Sequence, residues 1–302
     1  MAIVGLDEVT LTTEDLAAGR RFLADYGLIE ERADDKELVF WASDRTGVRV
    51  RHCEDPDLPP APVGGPTIRL ARWGVSDRAA LERIAKELGR DRPVQVTGEL
   101  LISADDDGNA IGFQVTQRIE LKNEPAKVNV PGAPPQRVVN TTIDFDAPIV
   151  PATLSHLVYY TQDVARLERF YVERLGFRAT DRFTNMGSFM RTDGNPEHHQ
   201  LFLVQRAPFK GLHHIAFHLN DMNQVMLAGK RFADKGYQTA WGPGRHIYGA
   251  NVFWYFNSPF GGNIEYDADM DVVDDHWVPR ETAPGPSTSN VWNFGYPPPP
   301  RH

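Results

Sequence analysis

The pattern of apolar and polar positions repeats along the chain. Residues 9–33, VTLTTEDLAAGRRFLADYGLIEERA, and residues 158–182, VYYTQDVARLERFYVERLGFRATDR, both place a short apolar run before an acidic residue and a segment with apolar positions at helical spacing. A glycine ends each helical segment, Gly27 in the first copy and Gly176 in the second. The pattern therefore predicts a strand followed by a helix in each half of the chain.

A second pair of segments has the same order. Residues 73–89, WGVSDRAALERIAKELG, are similar to residues 217–236, FHLNDMNQVMLAGKRFADKG, with an Asp near the helix start and a terminal Gly. Each strand and helix is followed by enough residues for about three more strands, which end in turn sequences such as DDDGN and SPFGGN. We therefore predict an α+β protein of four βαβββ modules, two in each of two domains.

Prolines mark the predicted boundaries between these units. The segment 122–152 contains several prolines, which interrupt helices and central strands alike. We predict a first domain at residues 1–121, a linker at 122–152 and a second domain at 153–269. Residues 270–302 are rich in proline, which predicts an irregular C-terminal arm. Its aromatic residues Trp277, Trp292 and Phe294 suggest that the arm packs on another surface, such as a neighbouring subunit.

The composition excludes several classes of protein and of binding partner. The chain has 302 residues, of which 41% are apolar, and this excludes a disordered or fibrous protein. The net charge of −9 opposes binding to nucleic acid or to an anionic membrane surface. No apolar run reaches the ~18 residues of a membrane span, Cys53 has no partner for an internal disulfide, and the opening residues lack a secretion signal. We expect a cytoplasmic protein whose partner is a small molecule.

Histidines concentrate in the second half, where nine of the ten occur. Because alternate residues of a strand share a face, His214 and His218 of LHHIAFHL take one face and His213 the other. Glu265 lies in a short apolar context, where a carboxylate is unfavourable unless it is paired or bound to a metal. His156 lies on a further strand, LSHLVYY. Two imidazoles and one carboxylate on three strands can form a facial triad for non-haem Fe(II).

The repeat indicates that only the second half carries these groups. Aligning the halves places Glu8 opposite His156 and Leu70 opposite His214, while the stretch from Gly112 to Gln114 lies opposite Glu265. Neither Leu nor Gly offers a side-chain ligand. The first half is therefore expected to lack the metal site.

Three segments of the second half resemble the type I extradiol dioxygenases of the vicinal oxygen chelate superfamily, iron-dependent enzymes that open catechol rings beside the two hydroxyls. They are LSHLVYYTQDVARLERFYVERLGF, GLHHIAFHL and GPGRHIYGANVFWYFNSPFGGNIEY, and the resemblance covers roughly residues 153–267. The last segment departs from the family signature at Trp254, where an aliphatic residue or Phe is usual, and at Ser258. Neither position binds the metal in the family.

The resemblance implies a role for each matching residue. It makes His156, His214 and Glu265 the ligands of Fe(II), or alternatively Mn(II), with His218 as the rival ligand on the same face. It also implies three catalytic residues: His199 as the acid–base group, with His246 and Tyr255 as hydrogen-bond partners of the catecholate oxygens. His213 would then be the outward neighbour of a ligand, and His198 would take the opposite strand face from His199 and play no part.

The family's reaction inserts both atoms of O2 into a catecholic ring by meta cleavage and yields a semialdehyde. Relatives that cleave carboxylated catechols have an Arg directly before GPGRH, where this chain has Trp241. We therefore expect a catechol with an uncharged or hydrophobic substituent, with Trp241 and Val158 as walls of the pocket, although Arg191 or Arg245 could pair with an anionic one. The relatives' assembly also predicts a homo-oligomer.

Alternative functions share the superfamily fold. A keto-acid dioxygenase or a glyoxalase-like isomerase can use the same ligand types, but the keto-acid enzymes lack the pair proposed for His246 and Tyr255. Glyoxalases generally distribute their ligands over both copies of the repeat. A metal-free protein that binds an aromatic compound has no need of the His–His–Glu set.

Overall fold

The computed structural model describes residues 2–295, and its first half contains eight strands and two helices. The strands are Ile3–Thr13 (β1), Ile29–Ala33 (β2), Glu37–Trp41 (β3), Gly47–His52 (β4), Ile68–Val75 (β5), Gln95–Thr97 (β6), Leu100–Ala104 (β7) and Ala110–Val115 (β8). The helices are Leu16–Tyr26 (α1) and Arg78–Leu88 (α2). All eight strands form one sheet in the order β2-β3-β4-β1-β5-β8-β7-β6.

The second half repeats this order from Thr153 onward. Its first eight strands are Thr153–Thr161 (β9), Arg178–Phe183 (β10), Gly187–Arg191 (β11), Leu201–Gln205 (β12), Gly211–His218 (β13), Thr239–His246 (β14), Val252–Asn257 (β15) and Asn263–Ala268 (β16). The helices are Val164–Arg169 (α3), which a π-helical turn at Phe170–Arg174 extends, and Met222–Asp234 (α4). The chain therefore reads strand, helix and three strands four times, which confirms the predicted α+β fold of four βαβββ modules.

An aspartate begins each of the four module helices. The carboxylate oxygens of Asp15, Asp77, Asp163 and Asp221 accept hydrogen bonds from the backbone N–H three residues later, at 2.7–3.0 Å. Such caps satisfy N–H groups that have no partner inside the helix. Gly27 ends α1 with φ of 98°, a left-handed conformation that glycine adopts without steric cost. Among residues 2–295, the helices lack the length and apolar character needed to cross a bilayer.

The register of the central strands shows which residues of the two halves are equivalent. In the first half, Glu8 pairs with Arg72, which pairs in turn with Gly112. In the second half, His156 pairs with Ala216, which pairs with Glu265. Glu8 and Gly112 therefore occupy the positions of His156 and Glu265.

The connection between the halves is irregular, whereas the C-terminal segment contains regular elements. Residues 116–152 form no helix or strand. The prediction of an irregular arm is wrong for part of the C-terminal segment, which forms Arg280–Thr282 (β17), Pro286–Ser289 (α5) and Asn290–Asn293 (β18). These two strands extend the second sheet to ten strands, in the order β17-β10-β11-β12-β9-β13-β16-β15-β14-β18. The end of the predicted arm, residues 296–302, lies outside the described residues.

Candidate active site

Three buried side chains converge at the centre of the second sheet. His156 lies on β9, His214 on the adjacent β13 and Glu265 on β16, the next strand along. The Nε2 atoms of His156 and His214 lie 3.2 Å apart, and each lies 3.1 Å from Oε2 of Glu265. These are the three residues that the resemblance names as ligands.

The triangle fits a shared cation. Three perpendicular bonds of about 2.1 Å, the length typical of a metal–imidazole bond, would place the ligand atoms about 3 Å apart. The two imidazole nitrogens lie close to the Glu265 carboxylate. Neither carboxylate oxygen, however, has a hydrogen-bond donor in suitable geometry among residues 2–295, and both oxygens are buried. A buried, unsatisfied carboxylate is costly unless a cation accompanies it. The donor set and its spacing therefore suit a divalent metal with open coordination positions.

The charges of the site favour metal-binding protonation states. Burial opposes ionisation of Glu265, but contacts with His156 and His214 outweigh burial and lower the pKa of its carboxyl group. Burial lowers the pKa of His214, against the opposing effect of Glu265. A metal needs the ionised carboxylate and the neutral imidazole, since both offer lone pairs.

The other ring nitrogens of the two histidines also have partners. Nδ1 of His156 lies 2.9 Å from Oγ of Ser155 and 3.6 Å from Oδ2 of Asp267. Nδ1 of His214 lies 2.6 Å from Nδ1 of His213. Partners of this kind fix the ring orientation of a ligand.

A cavity of about 200 Å³ opens beside the triad. His156 and His214 line it together with largely apolar and aromatic side chains, which include Val158, Phe183, Phe189, Phe202 and Trp241. Phe189 and Phe202 stack face to face, with ring centroids 3.8 Å apart. No Lys, Arg, Asp or Glu is among the lining residues within 2–295. The cavity therefore suits a flat apolar molecule that reaches the triad with one polar edge.

His246 and Tyr255 lie together on the β14–β15 side of the cavity. Nε2 of His246 is 3.2 Å from the hydroxyl oxygen of Tyr255, and the Tyr255 ring packs against that of His214 with centroids 4.9 Å apart. Burial lowers the pKa of His246 to about 4. Burial and the nearby Glu265 raise the pKa of Tyr255 well above its usual value. Near neutral pH, both groups are therefore uncharged hydrogen-bonding groups. Trp241 stacks on Tyr255, with ring centroids 5.3 Å apart. Both predicted pocket walls, Trp241 and Val158, line the cavity.

His199 also lines the cavity, on the opposite side from Tyr255, with its ring centroid 4.6 Å from that of His156. Burial, followed by the neighbouring His156, lowers its pKa well below the usual value. The prediction that His198 points away from His199 is wrong, because Nδ1 of His198 lies 3.0 Å from Nδ1 of His199. Strand alternation does not apply to this pair, since β12 begins only at Leu201.

Two further histidines differ from their predicted positions. His213 was expected on the outer face of β13, but it lines the cavity beside His214. A register shift between Leu212 and His214 interrupts the strand there and turns the side chain, as β-bulges do. His218, the predicted rival ligand, lies instead between Asp267 and Glu197, at 2.8 and 3.1 Å.

The first half has no corresponding ligand set. Glu8, which occupies the position of His156, pairs with Arg49 at 3.2 Å and with Arg72 at 2.9 Å. Leu70 and Gly112 occupy the other two positions. Among residues 2–295, the grouping of possible metal ligands is therefore confined to the second half.

Residues 153–266 match the Glyoxalase/Bleomycin resistance protein/Dioxygenase superfamily. The match covers most of the second half of the chain. The matched residues include the triad and, apart from Ser289, the lining residues of the cavity.

The relatives of the chain carry the names of ring-cleaving enzymes. Metapyrocatechase 2 of Cupriavidus necator is 29% identical over 281 residues, which cover 90% of this chain and 83% of the relative. The iron-dependent extradiol dioxygenase of Rhodococcus jostii is 28% identical over 142 residues, which cover 43% of this chain and 47% of the relative. The predicted resemblance to the extradiol dioxygenases is confirmed.

Solved structures share the whole fold. A Mn(II)-bound glyoxalase from Novosphingobium aromaticivorans superposes with a TM-score of 0.79, covers 99% of this chain and 93% of its own, and is 21% identical. Ring-cleaving dioxygenases superpose with TM-scores of 0.70–0.75. At identities this low, the likeness establishes the architecture of the four modules and no activity.

Proposed function

We propose that the chain is an extradiol dioxygenase that binds Fe(II) through His156, His214 and Glu265. It would insert both atoms of O2 into a catecholic ring by meta cleavage and yield a semialdehyde. The observation that carries the proposal is the buried triangle of ligand atoms 3.1–3.2 Å apart at the edge of an aromatic cavity. The names of the relatives support the reaction and, in one case, iron. Mn(II) is the alternative metal, since the same donors accept it.

Three polar residues that line the cavity, Tyr255, His246 and His199, would take part in this reaction. Bound Fe(II) would supply a Lewis acid for the catechol oxygens and an open position for O2. The Tyr255 hydroxyl and His246 Nε2 face the cavity beside His214 and would hydrogen-bond the substrate oxygens, which orients the ring. His199 is neutral near pH 7 because its pKa is lowered, so it can accept a proton from the substrate and return it.

The walls of the cavity favour an uncharged substituent on the ring. Trp241, Val158 and the stacked pair Phe189 and Phe202 present apolar surface. The two arginines considered as partners for an anionic group are engaged elsewhere. Arg191 donates to Asp275 at 2.8 Å and Arg245 to Asp269 at 2.7 Å, and neither lines the cavity. A carboxylate in this cavity would lose its hydration without gaining a cationic partner.

A catechol panel tests both the reaction and the substrate class. The Fe(II)-loaded protein is incubated in air with 3-methylcatechol, 3-phenylcatechol and 3,4-dihydroxyphenylacetate, and yellow ring-opened product and O2 uptake are followed. We expect turnover, with kcat/KM highest for an uncharged substrate, and none with His156→Ala. No O2 uptake with any catechol would refute the reaction. Preference for the carboxylated catechol would refute the substrate class alone.

Several properties rest on the sequence and the relatives. We propose that the protein is a homo-oligomer in the cytoplasm. The domain limits at residues 1–121, 122–152 and 153–269 likewise stay predictions, as do the individual roles assigned to the site residues.

A further inference from the structure

A row of buried side chains leads from the surface to the catalytic cavity through His199. Nδ1 of His199 lies 3.0 Å from Nδ1 of His198, and Nε2 of His198 lies 2.9 Å from Oδ2 of Asp181. Asp181 and His198 are fully buried and His199 is 4% exposed. Neither Asp181 nor His198 lines the cavity, so they can act on a substrate there only through His199.

The C-terminal segment holds Asp181 in place. The backbone N–H of Arg280 donates to Oδ1 of Asp181 at 2.7 Å, and its guanidinium donates to both carboxylate oxygens. The same guanidinium lies over the rings of Trp277 and Tyr248, at 5.0 and 4.8 Å from their centroids. Burial opposes a charge on Asp181, but the hydrogen bonds from His198 and Arg280 outweigh it and lower the pKa of the carboxyl group. Asp181 is therefore a carboxylate that only accepts hydrogen bonds.

The carboxylate determines where the hydrogens of the two imidazoles lie. Because Asp181 accepts, Nε2 of His198 carries a hydrogen, and a neutral imidazole with its hydrogen on Nε2 has a lone pair on Nδ1. With His198 in this neutral form, a hydrogen on Nδ1 of His199 completes the 3.0 Å contact. Nε2 of His199 is left with a free lone pair. This is the tautomer that a group needs to accept a proton from a molecule in the cavity.

We propose that Asp181 and His198 are positioning residues that fix the ring and the tautomer of His199, and that Arg280 holds this pair in place. The inference deepens the proposed function and rests on it for the catalytic part. It differs from the expectation that His198 plays no part. The arrangement resembles in its logic the carboxylate that orients a catalytic histidine in other enzymes.

The tautomer can be measured without turnover. Long-range ¹H–¹⁵N spectra of the ¹⁵N-histidine-labelled, metal-free chain, with His199→Gln to assign the signals, are expected to show His199 protonated on Nδ1 and unprotonated on Nε2. In Asp181→Asn, the amide can donate to His198 and reverse the order of donors, so the His199 hydrogen is expected to move to Nε2. A wild-type His199 with its hydrogen on Nε2 overturns the proposal.

Kinetics of the Fe(II)-loaded enzyme test the catalytic consequence. His198→Phe keeps an aromatic ring at the buried position but removes both hydrogen bonds. We expect kcat to fall on the order of 10- to 100-fold, as is typical when a partner of a site residue is removed, while KM for the catechol and the iron content stay near wild type. A parallel loss of iron and rise in KM would indicate a structural role only and contradict the proposal, as would an unchanged kcat.

Two arginine variants provide a matched comparison that leaves the core intact. Arg280 and Arg178 have similarly exposed side chains, 42% and 43%, and both pair with carboxylates. Arg280→Met is expected to lower kcat several-fold, Arg280→Lys to recover part of it, and Arg178→Met to leave it unchanged. Equal effects of the two Met variants would refute the role of Arg280. If wild type turns over no catechol, the proposed function fails, and the tautomer measurement still decides the hydrogen-bond order.

Discussion

Tyr26 and Tyr266 stack face to face across the two halves of the molecule, with ring centroids 3.9 Å apart and planes within 4°. The Tyr26 hydroxyl donates to the backbone oxygen of Glu265 at 2.6 Å, and the Tyr266 hydroxyl donates to the backbone oxygen of Tyr26 at 2.7 Å. The first half therefore contacts the backbone of a proposed metal ligand in the second half, although it supplies none of the three proposed ligands itself.

We expect Tyr26→Phe to lower the free energy of unfolding by about 1 kcal/mol, because it leaves a buried carbonyl without its donor. Urea denaturation measures this change. Tyr237→Phe is the matched control, since its hydroxyl bonds the partly exposed carboxylate of Asp25 and its loss should cost less. Equal losses in the two variants would show that the contact with Glu265 adds no more stability than the contact of Tyr237 with Asp25.

The triad predicts separate effects for ligands and for the acid–base residue. His214→Ala should abolish iron binding and activity together. His199→Ala should retain one iron per chain and lower kcat by roughly 10²- to 10⁴-fold, the usual contribution of general acid–base catalysis. Metal analysis and O2 uptake, with His52→Ala in the first half as the control, measure both quantities. Loss of metal in both variants would contradict the division of roles.

Trp241→Arg should shift the substrate preference. The side chain is 36% exposed and stacks on Tyr255, so a guanidinium there could meet a substituent while remaining partly hydrated. A charged hydrogen bond contributes about 1.5–3 kcal/mol, so kcat/KM for 3,4-dihydroxyphenylacetate relative to 3-methylcatechol should rise about tenfold or more. Trp241→Leu separates the effect of the charge from loss of the ring. An unchanged ratio in the Arg variant would place the substituent elsewhere.

His218 predicts a pH dependence of stability. Burial lowers its pKa, but Asp267 and Glu197 outweigh burial and raise it well above the usual value. Burial opposes the charge of Glu197, and His218 outweighs it and lowers the pKa of the carboxyl group. The contribution of His218 is complete below its unfolded pKa of about 6.5 and is lost as the pH rises through the folded value. That of Glu197 is complete above about pH 4.3 and is lost as the pH falls.

The pair therefore stabilises the fold most between about pH 4.3 and 6.5. His218→Gln should remove the decline on the alkaline side, measured as the free energy of unfolding in urea from pH 5 to 9 with a chelator present. His276→Gln, at an exposed position of the C-terminal segment, is the control. A wild-type decline that persists in His218→Gln must come from other groups.

Local sequence patterns were sufficient to predict the modules, whereas the proposed ligands came from the resemblance to the extradiol dioxygenases. The Asp at each helix start and the apolar spacing are short-range signals. Strand β16 follows simple strand alternation at Glu265, whereas β9 has a register shift directly beside His156. His198 and His213 were misplaced because the first precedes its strand and the second lies at a register shift. Pro196 lies two residues before His198 and Gly211 two residues before His213, so each irregularity has a nearby sequence signal that strand alternation alone does not use.

The partners that complete the site are distant in sequence and were not predictable. Asp181 and Arg280 are 99 residues apart and meet only because β17 pairs with β10. Phe189 and Phe202 become neighbours through the pairing of β11 and β12. Pairing of this kind depends on the assembled sheet, whereas periodicity reports only on single strands.

The attachment of β17 and β18 to the catalytic sheet has a consequence for biosynthesis. Arg280 and Ser289, which borders the cavity, follow all four modules in the sequence and are therefore synthesised after them. A nascent chain can assemble all four modules and the three proposed ligands before Arg280 reaches Asp181. The contacts that Arg280 makes with Asp181 and that Ser289 makes with the cavity can therefore form only after the whole fourth module has been synthesised.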